Sequence, residues 1–507
     1  MNRDPFSILT LLGTERMTAP PSAPHPVLAE AWAGLDWTAR ETAALSAMAL
    51  VASARGAGAV AVKDSAPEPD PAPEESLSAC PAGASALLRR MLAGEHAVVL
   101  SEWLALAAAR KCRVRFRDLP ALLRVASRER SLREAVLPVL GERGVWLARR
   151  ADEWRRVLET AKVEDTAWET GELSERIAWL RQTRASDPTR AAEALAKAWA
   201  GATGEERERF TTVLAEAPTS QDVALLEGEA LRDRRREVRL SARASLLRLP
   251  ESAFSQRART LVASMVVIEG MLMMRRLALR LPETFDAAWK ADGIEEKPPA
   301  GTGPRAFWAR QWIASVPLSA WTSRLDVGVE KLFALNRDDE WREIILLGWI
   351  DAATAAPEKE NAEAFALHLI GLADWPKAAP SPAEVLPRLL TVLDPEAGAR
   401  VLAAVPATDA GEGLYFELLF CTRFHLPDAA AREALQRCLA AFQAKPYPRL
   451  QSNHARELAR RLPLATAGEA VRRLAALSEL SSPAEELLRA IEFRQQVHQA
   501  FTVSIPS

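Results

Sequence analysis

The segment at 231–250, LRDRRREVRLSARASLLRLP, restricts the fold of this chain more than any other part of the sequence. Its apolar residues recur three and four positions apart, which places them on one stripe of an amphipathic helix, and Pro250 ends that helix. With Asp233 ahead of the helix, this is the pattern of the second helix of a HEAT repeat. A helix pair of this size cannot bury its apolar face alone and must stack on neighbours. The segment therefore predicts an all-α fold, a HEAT-like α-solenoid of stacked antiparallel helix pairs.

Other parts of the chain repeat this pattern more loosely. The segments 119–140 and 187–200 resemble further units, and Arg-Leu-Pro recurs at 248–250, 280–282 and 461–463, each time after a leucine-rich helix. The composition agrees, because alanine is abundant while the 507 residues include only 23 Gly and 2 Tyr. Such usage favours helix over sheet, so we expect no significant sheet.

Changes of composition divide the chain into five predicted parts. They are N-terminal helices at 1–61, a proline-rich linker at 62–83, the HEAT-like repeat region at 84–290, a break at 291–304 and a C-terminal helical region at 305–507. Alternating prolines among acidic residues hold the linker extended, so we expect it to be exposed and dispensable for folding. A proline-rich docking motif is the alternative interpretation.

Charge and cysteine content narrow the classes of protein that this sequence can represent. Lys+Arg total 65 and Asp+Glu 67, a net charge of −2, which argues against a strong nucleic-acid binder. Four cysteines without CxxC spacing suit a reducing compartment, and the N-terminus lacks a convincing secretory signal. The longest apolar stretch, Leu261–Met274, is shorter than the roughly 20 residues of a membrane span, so we expect a buried helix there. These features predict a cytoplasmic protein that does not enter a membrane.

A search for chemistry-bearing motifs yields no catalytic, cofactor-binding or metal residue. The sequence has no P-loop, HExxH or GxSxG motif. GTGPRA at 301–306 imitates a dinucleotide fingerprint but does not follow a predicted strand. One metal-like set consists of Cys421, His425, Cys438 and His454. Its spacing fits no standard zinc module, and core packing of the cysteines is the favoured interpretation.

Four arginines of the HEAT-like segment are the candidate partner-binding residues. They are Arg232, Arg235, Arg236 and Arg239. On a helix they cover more than one side, and acidic residues interrupt them. A solvated face, an acidic protein partner and nucleic acid remain open as interpretations, the last disfavoured by the net charge.

The sequence GERGVWLA at 141–148 is a candidate structural motif that comprises Gly141, Glu142, Arg143, Gly144 and Trp146. We expect Gly141 to end the preceding helix in a left-handed conformation. We expect Trp146 to face the core, and Glu142 and Arg143 to bridge adjacent repeats.

Several segments also carry a resemblance to a known family. Four segments agree with the family in their residues and in their order along the chain. They are LLGTER at 11–16, the segments 89–110 and 139–154, and the HEAT-like unit at 231–254. They resemble the uncharacterised bacterial family called domain of unknown function 5691. The resemblance covers roughly residues 5–290, and the remainder only in general helical character. The family has no assigned catalytic residues, so none is carried over.

The resemblance implies a helical-repeat accessory factor. Genes of such proteins commonly lie beside those of a SWIM-type zinc-finger protein, a MoxR-type AAA+ ATPase and a von Willebrand factor A protein. We therefore expect a non-enzymatic scaffold or adaptor without a cofactor that binds the ATPase or the von Willebrand factor A protein. The alternative is a HEAT-like DNA glycosylase for alkylated bases, which the near-neutral charge disfavours.

Overall fold

A computed structural model describes most of the chain, and its secondary structure is almost entirely helical. The described residues are 14, 19–23, 25–56, 70–158, 166–271, 274–337, 340–422, 424–444, 449–477 and 479–502. Within them, the only strands form two two-stranded ladders, which confirms the all-α class. The chain divides into two compact units, Met1–Pro71 and Ala72–Ser507. No helix in the described ranges is long and apolar enough to cross a membrane.

The smaller unit contains α1 (Ala29–Ala33) and α2 (Arg40–Gly56). Trp32 is buried against Ala47, and its indole Nε1 donates a hydrogen bond of 2.8 Å to the Pro21 carbonyl. The remainder of the predicted helical part at 1–61, including most of LLGTER, lies outside the described residues.

The larger unit begins with a compact group of short elements. These are β1 (Ser78–Ala79), α3 (Ala82–Leu92), α4 (Leu100–Ala109), β2 (Cys112–Arg113), α5 (Leu119–Arg128), α6 (Arg133–Val136), α7 (Gly141–Arg150) and α8 (Asp152–Leu158). After residues 159–165 the chain continues as helices, interrupted by one hairpin. These elements are α9 (Thr166–Thr170), α10 (Leu173–Ser186), α11 (Pro188–Trp199), α12 (Gly204–Glu216), α13 (Val223–Gly228), α14 (Arg236–Leu247), α15 (Ala253–Met265), β3 (Val266–Glu269), β4 (Arg276–Leu279), α16 (Pro304–Ile313), α17 (Leu318–Leu325), α18 (Val329–Leu335), α19 (Arg342–Ala355), α20 (Lys359–Ile370), α21 (Pro382–Leu390), α22 (Pro395–Ala404), α23 (Asp409–Cys421), α24 (Asp428–Phe442), α25 (Ser452–Arg461), α26 (Leu464–Ala475) and α27 (Ser482–Thr502).

Part of the predicted linker at 62–83 packs on the folded body, which corrects the interpretation of a wholly exposed segment, although most residues at 70–78 are exposed as expected. β1 pairs in parallel with β2, and the amide of Cys80 donates to the Arg113 carbonyl at 2.8 Å. Cys80 is fully buried, with its Sγ 2.7 Å from Cys112 Sγ. Pro81 directly precedes α3, a place where a missing N–H costs little. Strand pairing thus satisfies backbone groups at 78–80 that we expected to find in water. Residues 62–69 lie outside the described ranges.

The expectation of a buried helix over Leu261–Met274 is wrong. Helix α15 ends at Met265, and β3 and β4 form an antiparallel hairpin instead. β-Branched residues at 266–268 favour extended backbone, and Gly270 turns the chain with φ 88°. Beyond that turn Met271 is 82% exposed, so the end of the apolar stretch faces solvent.

Helices two places apart in the chain pack on one another through the C-terminal half. One row runs α19, α21, α23, α25 and α27, and a second runs α18, α20, α22, α24 and α26. A single apolar core extends from Trp179 to Ile491. Trp289, Ile294 and Trp308 all belong to it, so the predicted break at 291–304 does not divide the core.

The group of elements from β1 to α8 has its own core, which the last helix completes. Phe493 and Val497 of α27 are buried there, against α3 and α4. Glu102 Oε2 accepts from Arg494 Nε at 2.7 Å, and Glu102 Oε1 lies 2.6 Å from His498 Nε2. Burial raises the pKa of Glu102, but these hydrogen bonds outweigh it and hold the pKa below its ordinary 4.5. The two ends of the larger unit are therefore joined by a partly buried carboxylate.

Candidate binding cleft

A cleft of about 640 Å³ opens between α14, α16, α19 and α21 and the coil that precedes α16. α19 contacts each of the other three helices, so it forms the centre of the cleft wall. The apolar part of the lining includes Leu240, Phe307, Ile344 and Leu347. Leu240 is 44% exposed although it lies in the middle of a helix, so the cleft presents an apolar surface to solvent. We call this feature the α14–α21 cleft.

Charged side chains line the same cleft, with arginine in excess. Five arginines and three carboxylates contribute, namely Arg236, Arg239, Arg243, Arg310, Arg388, Glu295, Glu343 and Asp351. Arg239 pairs with Glu295 at 2.6 Å, and Arg236 reaches the same carboxylate at 3.3 Å. Arg310 makes a two-point contact with Asp351 at 2.6 and 3.0 Å. Two of the three carboxylates are thus already occupied by arginines.

Arg243 is a buried cation of the cleft, because only 8% of the residue is exposed. Its Nη2 donates to Ser315 Oγ at 2.8 Å and to the Gln311 carbonyl, whereas its Nε is buried without a hydrogen-bond partner. No carboxylate of the described residues lies within ion-pair distance of it. Burial lowers the pKa of Arg243 to about 10 although the nearby carboxylates of Asp351 and Glu295 favour its charge, so the guanidinium stays charged at neutral pH.

The coil at 293–303 forms one rim of the cleft. Gly293 and Gly301 have φ 72° and 84°, in the left-handed region that favours glycine. A side chain at Gly293 would also meet the Leu231 carbonyl at 3.1 Å. GTGPRA at 301–306 follows no strand; its Gly303 and Pro304 start α16. The segment that imitated a dinucleotide motif therefore shapes the cleft rim, a role that the sequence did not suggest.

The structure separates the four candidate arginines into two pairs. Arg236 and Arg239 line the α14–α21 cleft, whereas Arg232 and Arg235 do not. Arg232 Nη1 donates to the Gly228 carbonyl at 2.7 Å, and Arg235 pairs with Glu208 at 2.7 Å. All four are thus engaged within the chain. Arg243, one turn beyond Arg239, was missed because a lone arginine beside the apolar stripe resembles a solvated one.

The 141–148 motif holds a carboxylate from the predicted linker. Gly141 has φ 67°, and the amides of Glu142 and Arg143 donate to the Glu75 carboxylate at 3.0 and 3.1 Å. Arg113 Nε adds an ion pair with Glu75 at 3.3 Å. The guanidinium of Arg143 lies 3.9 Å from the ring centroid of Phe116. The amides of Glu142 and Arg143 thus hold Glu75, a contact that the sequence did not suggest, and their bridging of adjacent repeats stays a prediction.

The other members of the motif show which face of α7 is buried. Gly144 and Ala148 are buried, and a side chain at Gly144 would meet Leu119 at 3.1 Å. Trp146 lies between these two positions and is only half-buried, with the Arg150 guanidinium 4.2 Å from its ring centroid. The expectation of a core role for Trp146 is wrong, because the contact face of α7 follows the i, i+4 spacing of the small residues.

The cysteine and histidine set does not assemble. No cluster of three or more His, Cys, Asp or Glu suited to a metal exists among the described residues. Cys438 is buried in the core, as expected, but Cys421 is exposed. His454 Nδ1 instead accepts from the amide of Gln451 at 3.1 Å at the start of α25.

Fold and cleft together define an all-α protein with a cleft whose lining combines apolar side chains with an excess of arginine. A family of unknown function (DUF5691) matches the chain over residues 8–501, and the chain belongs to that family. The match extends through the C-terminal third, which in the sequence analysis resembles the family only in its general helical character. No match was found among curated proteins or among solved structures.

Proposed function

We propose that this protein is a non-enzymatic, cytoplasmic HEAT-like α-solenoid that serves as a scaffold or adaptor for protein partners. The observation that carries the proposal is the packing, through the C-terminal half, of helices on the helix two places along, in two rows. Solenoids are built in this way, since each unit contacts only its neighbours, and they offer long surfaces to partners.

Regularly spaced ion pairs support the repeat. Arg400 pairs with Glu363 and Arg449 with Glu412, and each pair joins residues 37 positions apart. Arg181 pairs with Glu216 over 35 positions. This separation is the length of one helix pair with its turns, so these bonds join a unit to the next one.

The α14–α21 cleft is the proposed partner site. It combines exposed apolar side chains with both signs of charge, and it includes Arg236 and Arg239 of the candidate set. Such a surface suits a protein partner with modest salt sensitivity. The expected partner is the MoxR-type AAA+ ATPase or its von Willebrand factor A companion.

Affinity purification from the native host with mass spectrometry tests the proposal. The informative variant is Arg236→Glu, because Arg236 is 61% exposed and pairs with a glutamate. Arg400→Glu is a matched control outside the cleft, with 59% exposure and a glutamate partner of equal exposure. Exposed pairs contribute little stability, so both variants should fold.

We expect the wild type and Arg400→Glu to recover the same partner and Arg236→Glu to lose it. Recovery of no partner by the wild type would overturn the proposal. Release of alkylated bases from DNA by the purified chain would establish the glycosylase alternative instead.

A further inference from the structure

We infer that the α14–α21 cleft recognises a carboxylate-bearing peptide segment of the partner, with Arg243 as the central binding charge. This inference rests on the proposed function, in which a protein partner occupies the cleft. It names the chemical class of the segment, which the scaffold proposal leaves open.

Arg243 carries a buried charge that has no carboxylate of the described residues at ion-pair distance. A buried cation costs free energy unless an anion and hydrogen bonds compensate it. Arg243 is buried and has only a hydroxyl and a carbonyl as partners. The carboxylates of Asp351 and Glu295 favour its charge from beyond ion-pair distance, but both are held by other arginines. A carboxylate from a ligand would supply the missing counter-charge.

A second cation of the cleft lining belongs to another helix, α21. Arg388 of α21 lines the cleft, is exposed, and makes no ion pair with any described residue. Arg243 on α14 and Arg388 on α21 thus give the cleft lining two cationic groups that have no carboxylate of the described residues at ion-pair distance, although Glu384 interacts electrostatically with Arg388. This arrangement can hold an acidic chain laid across the helices, since complementary potentials fix register as well as affinity.

The rest of the lining favours a peptide over nucleic acid. Glu343, Glu295 and Asp351 interrupt the arginines and would repel a continuous phosphate backbone. A peptide places single carboxylates between apolar side chains, and the cleft offers apolar contacts of this kind at Leu240 and Ile344. The cleft volume of about 640 Å³ lies within the range of about 300–1,000 Å³ usual for ligand sites.

Fluorescence anisotropy with the purified full-length chain tests the inference. The probes are a labelled short peptide of alternating leucine and glutamate, its twin with glutamine in place of glutamate, and a labelled single-stranded DNA oligonucleotide. We expect the glutamate peptide to bind about tenfold or more tightly than the glutamine twin, and to weaken as salt rises. The DNA oligonucleotide should bind more weakly than the glutamate peptide.

Three variants locate the binding site. Arg243→Gln should abolish the preference for glutamate, and Arg388→Gln should weaken glutamate-peptide binding several-fold. Arg400→Gln removes an equal charge outside the cleft and should change nothing. Arg388 is exposed, so its variant remains a valid test even where circular dichroism shows that Arg243→Gln does not fold.

Equal binding of the two peptides, tighter binding of the DNA, or equal effects of Arg388→Gln and Arg400→Gln would overturn the inference. Failure of the scaffold proposal is distinguishable, because then the wild type recovers no partner from the host. If the partner is recovered and lost on Arg236→Glu while both peptides bind equally, only the acidic class is wrong.

Discussion

Replacing Glu75 tests whether the segment before α3 is part of the folded body. The Glu75 carboxylate accepts two amide hydrogen bonds at the start of α7 and pairs with Arg113. The side chains of Glu75 and Arg113 are each only 13% exposed. Hydrogen bonds to a charged group contribute about 1.5–3 kcal/mol each, and residual exposure lets water replace part of that. We therefore expect Glu75→Ala to lower the local opening free energy by about 2–4 kcal/mol.

Hydrogen exchange of the full-length chain measures this loss directly. A change of about 2–4 kcal/mol corresponds to amide exchange roughly 30- to 1,000-fold faster at Glu142 and Arg143. Limited proteolysis should also cut 75–83 sooner in the variant. Glu74→Ala is the control, because Glu74 is exposed and adjacent in the chain. Unchanged exchange at both amides in Glu75→Ala would refute the role of Glu75.

Three further measurements test other parts of the structure. In chemical denaturation, Trp103→Ala should lower the free energy of unfolding by about 3–5 kcal/mol because the indole is fully buried. Trp146 is half-buried, so Trp146→Ala should lower it by less than about 2 kcal/mol, and equal losses would contradict the burial of the two residues. Because the pKa of Glu102 is lowered in the folded protein, its contribution to stability is complete above pH 4.5 and is lost as the pH falls through the folded pKa. Glu102→Gln should remove this part of the acid destabilisation, and an unaltered dependence of unfolding free energy on pH would contradict the pairing. Hydrogen peroxide should oxidise Met271, 82% exposed, well before Met91, 2% exposed, as peptide mass mapping would show, and the reverse order would exclude a solvent-facing hairpin turn.

The helical character of the chain could be predicted because it depends on local spacing. In the 231–250 segment, Val238, Ala242 and Leu246 form the predicted stripe, and all three are completely buried. The hairpin after Met265 was missed because a short apolar run does not distinguish a helix from a strand, and its β-branched residues were the available signal.

Contacts between distant parts of the sequence could not be predicted. Glu102 and Arg494 are 392 residues apart, and nothing in either local sequence indicates the other. The same holds for Glu75. In the sequence it is one of several acidic residues in a proline-rich segment, and only the fold places it beside Gly141 and the amides that follow Gly141. The composition of a segment depends on its own residues alone, whereas the residues that it packs against determine whether the segment is a linker.

The arginines of the cleft that the sequence singles out differ from Arg243 in their partners. Arg236 and Arg239 already have Glu295 as a partner, so a ligand must compete for them. Arg243 has no such competitor, and its low exposure strengthens any electrostatic interaction with a bound anion. A ligand carboxylate therefore gains more from Arg243 than from its exposed neighbours. On this argument Arg243 sets which segment binds, whereas Arg236 and Arg239 add attraction for its carboxylates, which the charge reversal Arg236→Glu would turn into repulsion.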